Sequence, residues 1–253
     1  MSFSAREEHR NGGLGEKPWV AVVFYGVWHK GSVTLKAMEK TLSVESVEID
    51  LASWNRRAVY EFFARFAEPF HGICVRVDCT ETYRYAKEHG LPVFLTLQHR
   101  SLMAIQEVEN LRLRIAHGGV RLYETIHGGS AVGRENGTIG FGHYGFQRNL
   151  KAFVEDAAAV LAEVKERNDL ERYPEQNIVR YSVLPWLDFT SLSHARDFEV
   201  KDSAPKITFG KMTETDGRRT MPVSIHAHHA LADGLHVAEH VAWFEKYLAN
   251  PEL

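Results

Sequence analysis

One stretch near the carboxyl end constrains the fold more than any other. Met221 to His229 alternates apolar and polar residues as a half-buried strand does, and Asp233-Gly234 then turns the chain into a helix with Val237, Val241, Phe244 and Leu248 on its inner stripe. A strand handed over by a tight turn to an amphipathic helix needs a sheet with helices packed on it. The rest of the chain repeats the theme. Alternation at Val44 to Ile49 reads as a strand, and from Asn55 the period becomes helical, with Val59, Phe62, Phe63 and Phe66 on one stripe. Ile73, Val75 and Val77 mark a second strand. Thr80 is expected to cap a short helix ended by Gly90, and Pro92 opens a long apolar segment through Val108. Strands are expected at Leu111 to Ala116, Val120 to Glu124 and Thr138 to Phe141, with Gly118-Gly119 and Gly128-Gly129 as separators. A helix through Phe153, Ala157, Val160, Leu161 and Val164 precedes strands at Ile178 to Leu184 and Lys206 to Met212. The expected fold is α/β, a two-layer sandwich of one mixed β-sheet with flanking helices.

With 253 residues, 44% hydrophobic and 25% charged, the chain can bury a sizeable core. The sharpest change in character falls between the Gly-rich lead and the alternation that starts at Val44, which divides the chain into an amino-terminal extension, 1–43, and a domain, 44–253. Met38, just upstream of that break, suggests an upstream start for the extension; the other reading is a short strand at Trp19 to Val27. A formal net charge of -3 argues against a nucleic-acid backbone as partner. The apolar run Trp19 to Trp28 is too short for a bilayer, and the lead lacks the features of a signal peptide, so no membrane partner is expected. Two cysteines, Cys74 and Cys79, placed where a disulfide is geometrically awkward, fit a reducing cytoplasm.

Histidine is the side chain that takes and returns a proton near neutrality, and the Ser224 to His236 segment carries four of them. His229, at a strand end before a tight turn, can be held rigidly as a base, while His228 points to the opposite face. Asp233, four residues on, can close back across the turn, as the third member of a triad would. Metal is the rival chemistry: His226 and His228 share a strand face, and His236 and His240 a helix face, both ligand-competent spacings. No Cys pair or His-Glu-x-x-His core completes a coordination shell, so no metal is expected. Packing alone, or an Asp-Gly hairpin turn without chemistry, is the bland reading.

His228-His229-x-x-x-Asp233-Gly234 is similar to the active-site signature of the chloramphenicol acetyltransferase family. Three further blocks resemble the family in its order: Trp54-Asn55-Arg56-Arg57 with Tyr60-Glu61-Phe62-Phe63, then Ser182-Val183-Leu184-Pro185-Trp186, then Pro205-Lys206-Ile207-Thr208-Phe209-Gly210-Lys211. The match covers roughly residues 44 to 253. It implies acetyl transfer from acetyl-CoA, a co-substrate, to a hydroxyl of a small molecule, chloramphenicol first, by direct attack with His229 as general base and no acyl-enzyme. It also implies that Nδ1 of His229 is fixed by its own backbone carbonyl, that Asp233 pairs with Arg56 rather than relaying a proton, and that Ser182 supplies an oxyanion hydrogen bond. Thr208 would hold a water, Lys211 would lie near the phosphates of the coenzyme, and Phe63 would line the acceptor pocket. The family assembles as a homotrimer with that pocket at the subunit junction.

This chain departs from the pattern at Phe63, where resistance enzymes commonly have tyrosine, at Ala232, where cysteine is common, and at Met212, where an aromatic often sits beside the adenine. The first two keep another alcohol open as the acceptor. Catalytic domains of dihydrolipoamide acyltransferases and condensation domains of peptide synthetases share the fold and the His-x-x-x-Asp-Gly signature, but the first would bring a lipoyl domain and the second about twice the length. A non-catalytic binding or scaffold module is the remaining alternative, and the joint presence of Arg56, Ser182, Thr208, His229 and Asp233 stands against it.

Overall fold

The computed structural model describes residues 45–170, 173, 174, 176–200 and 202–253; the expected extension and the Trp19 to Val27 strand lie outside these residues. In chain order the elements are β1 (Ser46–Glu48), α1 (Arg57–Phe63), β2 (Phe70–Asp78), α2 (Thr80–Glu88), α3 (Val93–Glu107), α4 (Glu109–Arg112), β3 (Leu113–Ala116), β4 (Gly119–Tyr123), β5 (His127–Gly133), β6 (Ile139–Tyr144), α5 (Leu150–Glu166), β7 (Ile178–Val183), β8 (Lys206–Phe209), β9 (Thr213–Thr215), β10 (Arg218–His228) and α6 (Gly234–Ala249).

The main sheet runs β2-β10-β8-β7-β5-β6, with β9 beside β10. It is mixed, because β5 with β7 and β7 with β8 are parallel pairs while its other pairs are antiparallel. Alternation in β10 decides its faces. Val223, Ile225 and Ala227 are buried in the core with Ile207, Phe209, Tyr181 and Val179, together with Leu102 and Ile105 of α3, Phe153 and Leu161 of α5 and Phe244 and Leu248 of α6. Each buried Val, Leu, Ile or Phe contributes about 1.5–3 kcal/mol relative to an exposed one. A one-residue slip of β10 would exchange them for Ser224, His226 and His228, so the register is held.

A second sheet, β1-β4-β3, was not expected as a separate layer. It has its own small core of Leu113, Val120 and Leu231, with Ile49, Leu51, Trp54 and Tyr60 packed against it. Leu231 belongs to the turn after His229, and Asn110 donates to its carbonyl at 2.7 Å, so the minor sheet supports that turn.

Several local expectations need correction. Gly128 and Gly129 do not separate strands but lie inside β5. A Cβ on Gly128 would come within 2.3 Å of the Tyr144 ring, and one on Gly129 within 2.9 Å of His143, so the absence of side chains lets the rings of β6 cross β5. Thr80 is the first residue of α2 rather than its cap; the carboxylate of Asp78 accepts from its N–H at 2.9 Å and from its hydroxyl at 2.6 Å. Leu111 falls in α4, and β8 stops at Phe209. Beyond it, β9 and β10 form a hairpin around Asp216 (φ 49°) and Gly217 (φ 77°), the paired positive dihedrals of a two-residue type I′ turn.

Candidate active site

His229 begins the turn that leaves β10. Its N–H donates to the Pro69 carbonyl at 2.8 Å, one residue before β2, which seats the turn against the sheet edge. The imidazole stacks on Phe63 of α1, centroids 4.0 Å apart and planes 3° from parallel, and packs at 4.6 Å against His71 of β2. Its Nδ1 is buried and has no hydrogen-bond partner among the described residues, so the expected bond to its own carbonyl is not formed. Aromatic packing from two elements therefore fixes the ring plane. Phe63, expected in an acceptor pocket, is a stacking partner of the candidate base.

His228 faces the other way, as alternation requires. Its ring meets the edge of Phe70 at 5.3 Å, its Nδ1 accepts from the Ala230 N–H at 3.3 Å, and burial, followed by the Arg196 charge, pushes its pKa down to about 4.

Asp233 is the N-cap of α6: its Oδ1 accepts from Leu235 N–H at 3.1 Å, and its own N–H donates to His236 Nδ1 at 3.1 Å. The remaining oxygen, Oδ2, accepts from Arg56 Nη1 at 2.9 Å. The expected pairing of Arg56 with Asp233 is present, but it is less enclosed than a core ion pair, with side-chain exposures of 15% and 35%. Burial works against the Asp233 charge, yet the Arg56 bond, the nearby His236 and the Leu235 N–H together hold the carboxyl below its ordinary value. Arg56 sits at the N-cap of α1, so this single contact ties the start of α1 to the start of α6, across the turn that carries His229.

Ser182 and Thr208 form a second group. They are register partners on the parallel strands β7 and β8, and Ser224 of β10 pairs with Thr208 to continue the row. Thr208 is fully buried, and its hydroxyl lies 3.5 Å from Nε2 of His194, which reaches it from the segment between β7 and β8. Burial, then the charges of His226, Lys206 and Arg196, lowers the pKa of His194 to about 4, so this ring is neutral at pH 7. Lys211 is exposed, and its N–H donates to Leu187 O at 2.8 Å. Gly210 makes that path possible, since a Cβ there would meet Pro222 at 2.5 Å and the Leu187 carbonyl at 2.8 Å.

The two groups are not adjacent within one chain. His229 lies five residues beyond Ser224 along β10, about 16 Å at strand rise. His71, its neighbour, pairs with buried Ala227 on the helix-covered face, whereas Ser224 and Thr208 point to the other. The structure thus brings together His229, Phe63, Arg56 and Asp233 at one place and Ser182, Thr208 and Lys211 at another.

The histidine pairs that could have ligated a metal are engaged in packing. His226 Nδ1 meets Ser224 Oγ at 3.2 Å, His236 closes the α6 capping box, and His240 is fully buried. Among the described residues, no group of three or more His, Cys, Asp or Glu is placed to hold a metal ion. Reading the sequence missed His71 and His194. Each is an isolated histidine, and neither spacing nor neighbours signal that it meets a site residue. No described helix is long and apolar enough to cross a membrane.

The family described as "CAT: Chloramphenicol acetyltransferase" matches residues 44–244. The chain is 25% identical to a chloramphenicol acetyltransferase of Proteus mirabilis over 82% of this chain and 96% of that protein, and 26% identical to one of Streptomyces acrimycini over 80% and 94%. A solved structure titled chloramphenicol acetyltransferase superposes with a TM-score of 0.73 at 27% identity, covering 81% of this chain and all of the other. A dihydrolipoamide acetyltransferase structure of Azotobacter vinelandii, at 15% identity and a TM-score of 0.57, shares the fold alone. With most of its length matched by one family, and with that family's sheet and helices, the chain is an acyltransferase that belongs to the chloramphenicol acetyltransferase family.

Proposed function

We propose that this enzyme transfers an acetyl group to a hydroxyl of a small molecule, chloramphenicol being the first acceptor to try, with His229 as the general base. One observation carries the reading. His229 stands about 16 Å along the chain from Ser224, whose register row carries Thr208 and Ser182, so a working site is completed by a second copy that lays its Ser182 row against the His229 turn. The assembly proposed is a homotrimer, which closes when each chain sets its base against the Ser182 of one neighbour and its own Ser182 against the base of the other.

Residues of this chain fit the co-substrate. Exposed Lys211 offers a cation for phosphate beside Trp186 and Leu187, which are 52% and 53% exposed, and Gly210 leaves room for a close approach. Acetyl-CoA, when bound, supplies the acetyl group as a thioester. Nε2 of His229 takes the proton from the acceptor hydroxyl as that oxygen attacks the thioester carbonyl, and returns it to the sulfur as the C–S bond breaks and coenzyme A leaves as the thiol. The stack on Phe63 keeps the ring plane in place while it does so. The Ser182 hydroxyl donates to the acyl oxygen as that atom gains charge, and losing such a donor costs about 10²–10³ in rate. Thr208, register partner of Ser182, holds a water against the tetrahedral intermediate. The Arg56–Asp233 pair orients the turn and moves no proton. The two unpaired cysteines, Cys74 and Cys79, accord with work in the cytoplasm.

Subunit complementation tests the reading. His229→Ala and Ser182→Ala chains, each inactive alone, are co-expressed and purified together, and thiol release from acetyl-CoA is followed with chloramphenicol and with other alcohols. Random mixing leaves about one site in four with an intact base and an intact serine, so about a quarter of wild-type turnover returns. Return of no activity, or activity in the His229→Ala chain alone, refutes the shared site.

A further inference from the structure

The base has a second histidine beside it. His71 is the second residue of the edge strand β2, and its register partner is Ala227. Its Nε2 lies 3.2 Å from the carbonyl of Ala232, and its ring is 4.6 Å from that of His229, tilted by 43°. A carbonyl only accepts, so Nε2 of His71 carries the hydrogen and Nδ1 does not. Ala232 immediately precedes Asp233, and this bond therefore pins the far end of the segment that starts at His229. The near end is pinned by the His229 N–H on Pro69 O. Both anchors come from the chain at the start of β2, so the edge of the main sheet holds the turn at its two ends.

The path of β2 is itself fixed close by. A Cβ on Gly72 would lie 2.4 Å from Nε2 of His226, so a side chain there would have to displace that ring or the strand. Half-burial lowers the pKa of the His71 ring below its ordinary value; the Ala232 bond works against that depression, His229 reinforces it and Asp233 opposes it. Neutrality matters because a charged ring at this distance would disfavour proton uptake by His229.

We infer that His71 is a positioning residue for the base, fixing the Ala232 carbonyl and supporting the His229 ring so that its free nitrogen points at the acceptor. This rests on the proposed role of His229. His71 touches no reacting atom, because its Nε2 is spent on the backbone.

Three variants test it. His71→Phe keeps an aromatic beside His229 and loses the N–H; His71→Gln loses the ring but keeps an amide N–H that can reach Ala232 O; His71→Ala loses both. Thiol-release kinetics, thermal unfolding and the ring nitrogen NMR shifts of His229 are measured for each. His71→Phe lowers kcat about tenfold to a hundredfold, the penalty of a displaced catalytic group. The KM for acetyl-CoA stays within about twofold and His229 shows a mixture of tautomers where the wild type shows one, because the defect lies in orientation and not in binding. His71→Gln restores most of kcat and the single tautomer. Wild-type kcat in both His71→Phe and His71→Ala overturns the proposal. So does a loss in His71→Phe that tracks falling melting temperature and is not recovered by His71→Gln. If His229→Ala retains turnover, the base assignment fails instead, and the NMR measurement, which needs no turnover, still reports whether His71 orders that ring.

Discussion

Arg56 and Asp233 offer a decisive test of how the site is held, because each makes separable contacts. Asp233→Asn keeps an oxygen to cap Leu235 N–H and removes only the charge that Arg56 meets at 2.9 Å. A fully buried pair broken on one side costs about 3–5 kcal/mol, whereas exposed pairs are worth about 0–1. With Arg56 15% and Asp233 35% exposed, the coupling falls between these limits, at about 1–2 kcal/mol. In a domain of this size that is a melting-temperature shift of about 3–6 °C. Asp233→Ala adds loss of the cap, about 1 kcal/mol more. The assay is a double-mutant cycle of Arg56→Ala and Asp233→Asn, read by denaturant unfolding and by turnover. Additivity of the two changes within about 0.5 kcal/mol would refute the coupling. Turnover lost about 10⁴-fold in Asp233→Asn with stability intact would instead make Asp233 the tautomer-fixing member of a triad. The pH dependence has a definite sign. The folded pKa of Asp233 lies below the unfolded value, so its contribution is present above that value and is lost as pH falls through the folded pKa. The stability gap between wild type and Asp233→Asn therefore closes below about pH 4.

Ser182→Ala should lower kcat by about 10²–10³ while leaving the melting temperature nearly unchanged, since the half-buried hydroxyl is replaced without a cavity; a loss under threefold in steady-state kinetics would remove Ser182 from the chemistry. Burial lowers the pKa values of His99, His228 and His240 to about 4. Below an unfolded value near 6.5 the unfolded chain binds protons that the folded one refuses, so stability falls between about pH 6.5 and 4, by up to about 1.4 kcal/mol per pH unit for each histidine. Unfolding free energies that stay level from pH 7 to pH 5 would contradict this.

Legibility from sequence followed the range of the interactions involved. The α6 stripe, the Asp-Gly turn and the alternation of β2 and β10 are local patterns, and the structure reproduces them. Pairing of Arg56 with Asp233 is 177 positions long range, and only the family resemblance gave it. The glycines of β5 misled because a strand that must admit the Tyr144 and His143 rings looks, in one dimension, like a turn. The minor sheet escaped notice because its strands share their periodicity with the main sheet, and only packing around Leu231 sets them apart. His71 could not be found: a lone histidine in a strand carries no mark that its partner is the Ala232 carbonyl.

Strand order also decides when the enzyme comes into being. Among the described strands β2 bonds only to β10, whose residues come some 148 positions later, as the pairing of Val75 with Val223 shows. On a ribosome adding about 5–20 residues per second, β2 therefore waits several seconds for β10, and a strand edge left without its partner is the condition in which strands stick to other chains. The strand that relieves it ends at His228, one residue before the candidate base. Completion of the sheet and arrival of His229 are one event, so a chain released early has neither.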